Sequence, residues 1–151
     1  MDLLIREAET DDINQMQRIR RSVKENILLR PEQVTDEVCR AYITRRGKGW
    51  VAVSANQIVG FAIADLLENN VWALFLHPDF EDRGIGKKLH NTLLDWYFDQ
   101  GKEYIWLSTE PRTRAEAFYR RQQWTETARL PSGEIRFEMA SQTWINNRHD
   151  R

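Results

Sequence analysis

The chain has a single cysteine, Cys39, in 151 residues, so no intramolecular disulfide can form and no Cys/His framework for a metal ion exists. Glycine and proline are scarce, at 7 and 4 residues, which excludes a fibrous or low-complexity chain. Charge excess is missing as well. The 22 lysines and arginines meet 23 aspartates and glutamates for a formal net charge of −1, so no global positive field is present to hold nucleic acid or an anionic membrane. The longest uncharged stretch, Gly49 to Ala64, is interrupted by Ser54, Asn56 and Gln57 and is too short to cross a bilayer. The N-terminal MDLLIREAE has an acidic second residue and only a short apolar run, unlike a signal peptide. A reducing, cytoplasmic setting is the expectation.

What is present suits one globular domain. Apolar residues make up 41% and charged residues 30%. A chain of this length buries roughly two-thirds of its unfolded surface and needs no disulfide or metal staple.

Apolar spacing orders the elements. Leu3 to Arg6 starts a sheet, and Thr10 with Asp11 and Asp12 reads as a helix cap with acidic first-turn residues. Ile13, Met16, Ile19 and Val23 form one helical stripe, and Thr35 opens a second helix that stops at Gly47. Trp50–Val53 and Ile58–Ala64 flank a polar turn as a hairpin, and Val71–Leu76 is a third apolar strand ending at His77-Pro78. A long helix runs through Leu89, Leu93, Leu94, Tyr97 and Phe98 to Gly101. Tyr104–Leu107 is a strand, Arg114–Arg121 a short helix, and Trp124–Arg129 with Glu134–Met139 a closing hairpin. The order is β-α-α-β-β-β-α-β-α-β-β, an α+β domain over residues 1–140 followed by a polar tail, 141–151.

The run Arg83-Gly84-Ile85-Gly86 between a strand and a long helix carries the most chemistry. Two glycines let the backbone turn sharply and bring consecutive N–H groups toward a ligand, and the helix start adds unpaired N–H groups with partial positive charge. Arg83, Lys87 and Lys88 add full charges, so the arrangement suits an anion such as a pyrophosphate. A glycine pair alone is equally explained by a turn. The dinucleotide fingerprint fails because Leu89 stands where its third glycine belongs, and the Walker loop fails because Lys87-Lys88 lacks the hydroxyl.

With its preceding strand, Glu81-Asp82-Arg83-Gly84-Ile85-Gly86 resembles the Gln/Arg-x-x-Gly-x-Gly/Ala signature of GCN5-related N-acetyltransferases. The helix Ala115-Glu116-Ala117-Phe118-Tyr119 is similar to that family's Ala-x-x-Phe-Tyr helix, and the element order agrees from Leu3 to Met139. Four positions differ. Glu81 replaces Gln or Arg, Asp82 stands where Gly is common, Arg112 replaces Asn, and Gln123 replaces Gly. An acidic Glu81 beside a pyrophosphate repels it unless the side chain points away.

The resemblance implies a mixed, mostly antiparallel central sheet with helices on both faces. It implies acetyl-CoA as cosubstrate and direct transfer of the acetyl group to a primary amine of a small molecule or peptide. Carried over by position, Leu74, Leu76, Arg83, Gly84, Ile85, Gly86 and Lys87 are the cofactor-binding residues, with a Leu76 backbone N–H facing the developing oxyanion. Tyr119 matches the family's acid that protonates the leaving thiolate. Glu25 ranks first as general base, ahead of Asp65 and Glu110, because it follows the first helix at the acceptor side. Glu25, Glu32, Asp36 and Glu37 lend that side an acidic character suited to a cationic acceptor. Relatives are often dimers, and a homodimer is the expectation by analogy.

Other residues take plainer readings. His77 before Pro78 ends a strand, and His90 reads as lying on the polar side of the long helix. Trp72, Trp96 and Trp106 read as core, whereas Trp50 and Trp124 are placed to border a cleft. Arg45, Arg46 and Lys48 read as a cap on a helix end. The alternative function is a coenzyme A-binding module without catalysis.

Overall fold

The computed structural model describes residues 2–23 and 34–147. Seven strands, β1 (Leu4–Glu7), β2 (Gly47–Ser54), β3 (Gln57–Asp65), β4 (Asn70–Leu76), β5 (Tyr104–Thr109), β6 (Thr125–Arg129) and β7 (Ile135–Ala140), form one sheet in the order β1-β2-β3-β4-β5-β7-β6. Every pairing is antiparallel except β4 with β5. The sheet is mixed and mostly antiparallel, as the sequence leads one to expect.

Helices cover both faces because successive side chains of a strand point to opposite sides. On one face, Val51, Phe61 and Ile63 pack with α1 (Ile13–Ser22) and α2 (Asp36–Ala41), through Ile13, Met16, Ile19 and Cys39. On the other, Trp50, Ala52, Ala62 and Ala64 pack with α3 (Ile85–Asp99) and α4 (Arg114–Arg121). Leu89, Leu93, Leu94 and Tyr97 of α3 are fully covered, and each leucine contributes roughly 1.5–3 kcal/mol of apolar burial. The β2–β3 turn places Ala55 and Asn56 at φ of 50° and 64°, the tight hairpin geometry that matches strand twist.

Several local expectations change. The first helix is entered through a short 3₁₀ turn, Thr10–Asp12, whose cap is Glu9 rather than Thr10. The Asp12 carboxylate accepts the Glu9 N–H at 2.7 Å and two N–H groups of Arg6 at 2.8 and 2.9 Å, so it ties β1 to α1 instead of complementing a dipole. Gly47 begins β2 directly after a π-type turn, Tyr42–Arg46, and any side chain there would collide with the Ala64 carbonyl. Arg46 does not serve as a helix cap. Its guanidinium grips Asp65 at 3.2 and 2.7 Å, and Lys48 pairs with Glu7.

Part of the polar C-terminal segment is ordered. Ser141–Asn146 is a helix, α5, and Trp144 is buried with its indole N–H donated to Asp95 at 2.9 Å. His90 is also buried rather than solvent-facing, and Trp50 and Trp124 lie in the core. Among the described residues, no helix is long and apolar enough to cross a membrane, and no group of three His, Cys, Asp or Glu is placed to hold a metal.

Candidate active site

The site is a split in the sheet. β4 and β5 pair only at Asn70 and Trp106 and then diverge. The narrow end is pinned. Trp106 donates its backbone N–H to Asn69 and its indole N–H to the Glu68 carbonyl, while the Tyr97 hydroxyl bridges Asn69 and the Tyr104 carbonyl. The wide end opens into a cleft of about 710 Å³ lined by Leu74, Phe75 and Leu76 of β4, the loop after β4, and one side of α4.

The register of β4 decides what its backbone offers there. His77 donates to the Val59 carbonyl, so the hydrogen-bonded positions facing β3 are His77 and Phe75. Leu74 and Leu76 alternate with them, and their N–H and C=O groups point away from β3 into the gap that β5 has left. An extended, amide-bearing ligand can add there as a strand-like partner.

The loop ends in Gly84, at φ +81°, a left-handed conformation that favours glycine. Gly84 caps α3 without a side chain, so the first N–H groups of the helix, from Ile85 to Lys87, receive no side-chain acceptor from the described residues. A Cβ added at Gly84 or Gly86 would meet nothing within 4 Å, so the space beside these two residues is open. Gly84, Gly86 and Lys87 line the cleft. Ile85 is buried in the core and can offer a ligand only its backbone. Arg83 is exposed, with its guanidinium over Phe80 at 5.1 Å, and is not a lining residue.

Tyr119 faces the cleft from α4, with its ring packed among His90, Phe118, Trp124 and Phe137. Burial pushes its phenol well above the ordinary tyrosine value, so the hydroxyl keeps its proton at neutral pH. Beneath it, Trp124 donates its indole N–H to Nε2 of His90 at 2.9 Å. This buried pair was not legible in the sequence, because the two residues are 34 positions apart.

The expected carboxylates fare differently. Glu25 lies outside the described residues. Asp65 is completely buried, held by Arg46 and by the Leu67 N–H, and cannot reach an acceptor. Glu110 is exposed and does not line the cleft. Glu81 and Asp82 do line it, and both are bound by Arg114 of α4, at 3.1 and 2.6 Å. On the α1 side, Arg20 lies over Trp72 and Phe75 at 5.0 and 4.9 Å, with Nε and Nη2 buried and without hydrogen-bond partners among the described residues.

A sequence profile of the Acetyltransferase (GNAT) family matches residues 13–123. The chain belongs to that family. No curated protein matches its sequence. Among solved structures, the fold is similar to that of PaiA N-acetyltransferase from Thermoplasma acidophilum in complex with coenzyme A, with a TM-score of 0.79 at 16% identity over 93% of this chain and 99% of that one. It is similar also to the ribosomal-protein-S18-alanine N-acetyltransferase from Escherichia coli, with a TM-score of 0.75 at 16% identity over 92% and 94% of the two chains. A third likeness is to mutant forms of the spermidine/spermine N-acetyltransferase SpeG from Vibrio cholerae, with a TM-score of 0.74 at 16% identity over 97% and 98%. In this GNAT chain the split strands, the glycine loop and the Tyr119 helix meet at one cleft.

Proposed function

We propose that this GNAT chain transfers an acetyl group from acetyl-CoA to a primary amine of a small molecule or a peptide. The observation that carries the reading is the register of β4, which turns the amides of Leu74 and Leu76 into a cleft that also holds Gly84, Gly86 and Tyr119. The residues fit the donor. Uncapped N–H groups at the start of α3 suit a pyrophosphate, and the β4 edge suits the amides of a pantetheine arm.

Bound there, acetyl-CoA supplies a thioester carbonyl for attack and a sulfur that leaves with a proton. In this reading the Leu76 N–H donates to the carbonyl oxygen as charge develops on it. Tyr119 holds a proton for the sulfur, and its packed ring keeps the hydroxyl at the cleft wall. As the new C–N bond forms and the C–S bond breaks, the amine must lose a proton. Glu81 and Asp82 are engaged by Arg114 and Asp65 by Arg46, so none of these three takes it, and we keep Glu25 as the base, directly or through water. Relatives of the same fold are named for acting on a protein's alanine and on spermidine or spermine, which supports both peptide and polyamine acceptors as candidates.

Calorimetric titration with acetyl-CoA and CoA, followed by thiol release in the presence of polyamines, aminoglycosides and peptide amines, tests the reading. Micromolar binding and amine-dependent thiol release are expected. Binding without release for every acceptor class would leave a coenzyme-binding module, and no binding would remove the donor assignment.

A further inference from the structure

Glu81 occupies the motif position whose usual Gln or Arg suits a phosphate, and Asp82 follows it. Two carboxylates at a pyrophosphate cradle should oppose an anionic ligand. The structure shows how this chain answers them. Arg114, at the start of α4 and more than thirty residues away in sequence, places Nε 3.1 Å from Glu81 and Nη2 2.6 Å from Asp82. All three residues line the cleft. Asp82 is held at φ +63°, a left-handed conformation that Asp tolerates better than most residues, and its short bond to Arg114 fixes the direction of that side chain.

We infer that Arg114 is the charge-compensating and positioning residue of the donor site, with the cation that the motif's first position lacks supplied from α4. This rests on the reading of the cleft as the CoA site. Among the described charged lining residues, Lys87, Arg114 and Arg121 stand against Glu81 and Asp82, leaving one net positive charge among them. Neutralising Arg114 removes that surplus and frees two carboxylates beside the α3 amides. The three ion-pair partners are partly or largely exposed, so the pairing itself adds little to folding stability. Its consequence is electrostatic and falls on the pyrophosphate. A pantetheine arm carries no such charge and is indifferent to it.

The test compares CoA and S-acetyl-pantetheine, which lacks the pyrophosphate, by calorimetry on the full chain. Arg114→Gln should weaken CoA about tenfold, about 1.4 kcal/mol, and leave S-acetyl-pantetheine within about twofold. Adding Glu81→Gln and Asp82→Asn to that variant should recover CoA affinity to within about threefold of the parent. Unchanged CoA affinity in Arg114→Gln, or equal loss for both ligands, overturns the inference. If Arg114→Gln fails to fold, the Glu81→Gln/Asp82→Asn pair with Arg114 kept decides. It should bind CoA at least as tightly as the parent, and a tenfold loss overturns the inference. Failure of the parent itself to bind CoA would instead remove the donor reading.

Discussion

The indole N–H of Trp124 and Nε2 of His90 form a 2.9 Å hydrogen bond in the buried floor under Tyr119. Because Nε2 accepts, it carries no proton, and Nδ1 lies 2.9 Å from the Asn91 carboxamide oxygen. The His90 ring also meets Phe118 and Trp144 edge to face, so α3, α4 and α5 share one aromatic box. Trp124→Phe keeps most of the apolar volume and deletes the donor to this buried nitrogen. The expected loss is about 1–3 kcal/mol in urea unfolding. A change below about 0.5 kcal/mol would show that the bond contributes nothing net.

The Arg6–Asp12 pair gives the fold an acid-sensitive joint. Hydrogen bonding from the Arg6 guanidinium holds the Asp12 carboxyl below its ordinary value, 3.8, against the opposing effect of burial. A depressed folded value means stability that is present above the unfolded value and is lost as pH falls through the folded one. Asp12→Asn should therefore cost about 1–2 kcal/mol at pH 7, allowing for the partial exposure of Arg6. As pH falls below 3.8 the difference between variant and parent should shrink progressively. A pH-independent difference in urea unfolding would contradict the assignment.

Gln123 occupies a position where glycine would fit better. It ends α4 at φ +70°, with Gln123 N–H returned to Arg120 and Trp124 N–H to Tyr119, the bonding pattern of a left-handed helix stop. A residue with a Cβ is strained there by about 1–2 kcal/mol. Gln123→Gly relieves that strain, gives up an exposed bond from Asn147, and increases the entropy of the unfolded chain. The net expectation is a stabilisation of about 0.5–1 kcal/mol by urea unfolding, with the helix content unchanged by circular dichroism. A net loss of stability would mean that the Asn147 bond anchors the end of α5 to α4.

Much of this fold is legible in the sequence because periodic apolar spacing reports which face is buried. The stripes through Ile13, Met16 and Ile19, and through Leu89, Leu93 and Leu94, lead directly to the helices, and α4 has the bounds its sequence suggests. The glycine loop is legible for the same reason that it works, since only glycine takes Gly84's conformation easily. Polar residues carry no such periodic signal. His90 and Trp124 become partners only when α3 and the connection between α4 and β6 are brought together, and Trp144 finds Asp95 across 49 residues. Glu81 and Asp82 look adverse in the sequence because the compensating Arg114 is supplied by another element. The helix cap moves to Glu9 because the Arg6–Asp12 pair, a tertiary contact, competes with local capping preference.

Tyr119 should separate proton delivery from binding. Its hydroxyl makes no hydrogen bond to the described residues, its ring is fixed by Phe118, Trp124 and Phe137, and burial raises its phenol above the ordinary value of 10. The group therefore remains a donor throughout the neutral and mildly alkaline range. Tyr119→Phe removes one oxygen and preserves the packing, so CoA affinity should stay within about twofold. The turnover number should fall about a hundredfold, the lower range for a lost general acid. In the parent, turnover should not decline between pH 7 and 10 through loss of the tyrosine proton, because the folded group titrates above that window. Steady-state kinetics of acetyl transfer across this pH range, with thiol release as the readout, checks both expectations. A variant that turns over within twofold of the parent would remove Tyr119 as the acid and transfer that role to solvent.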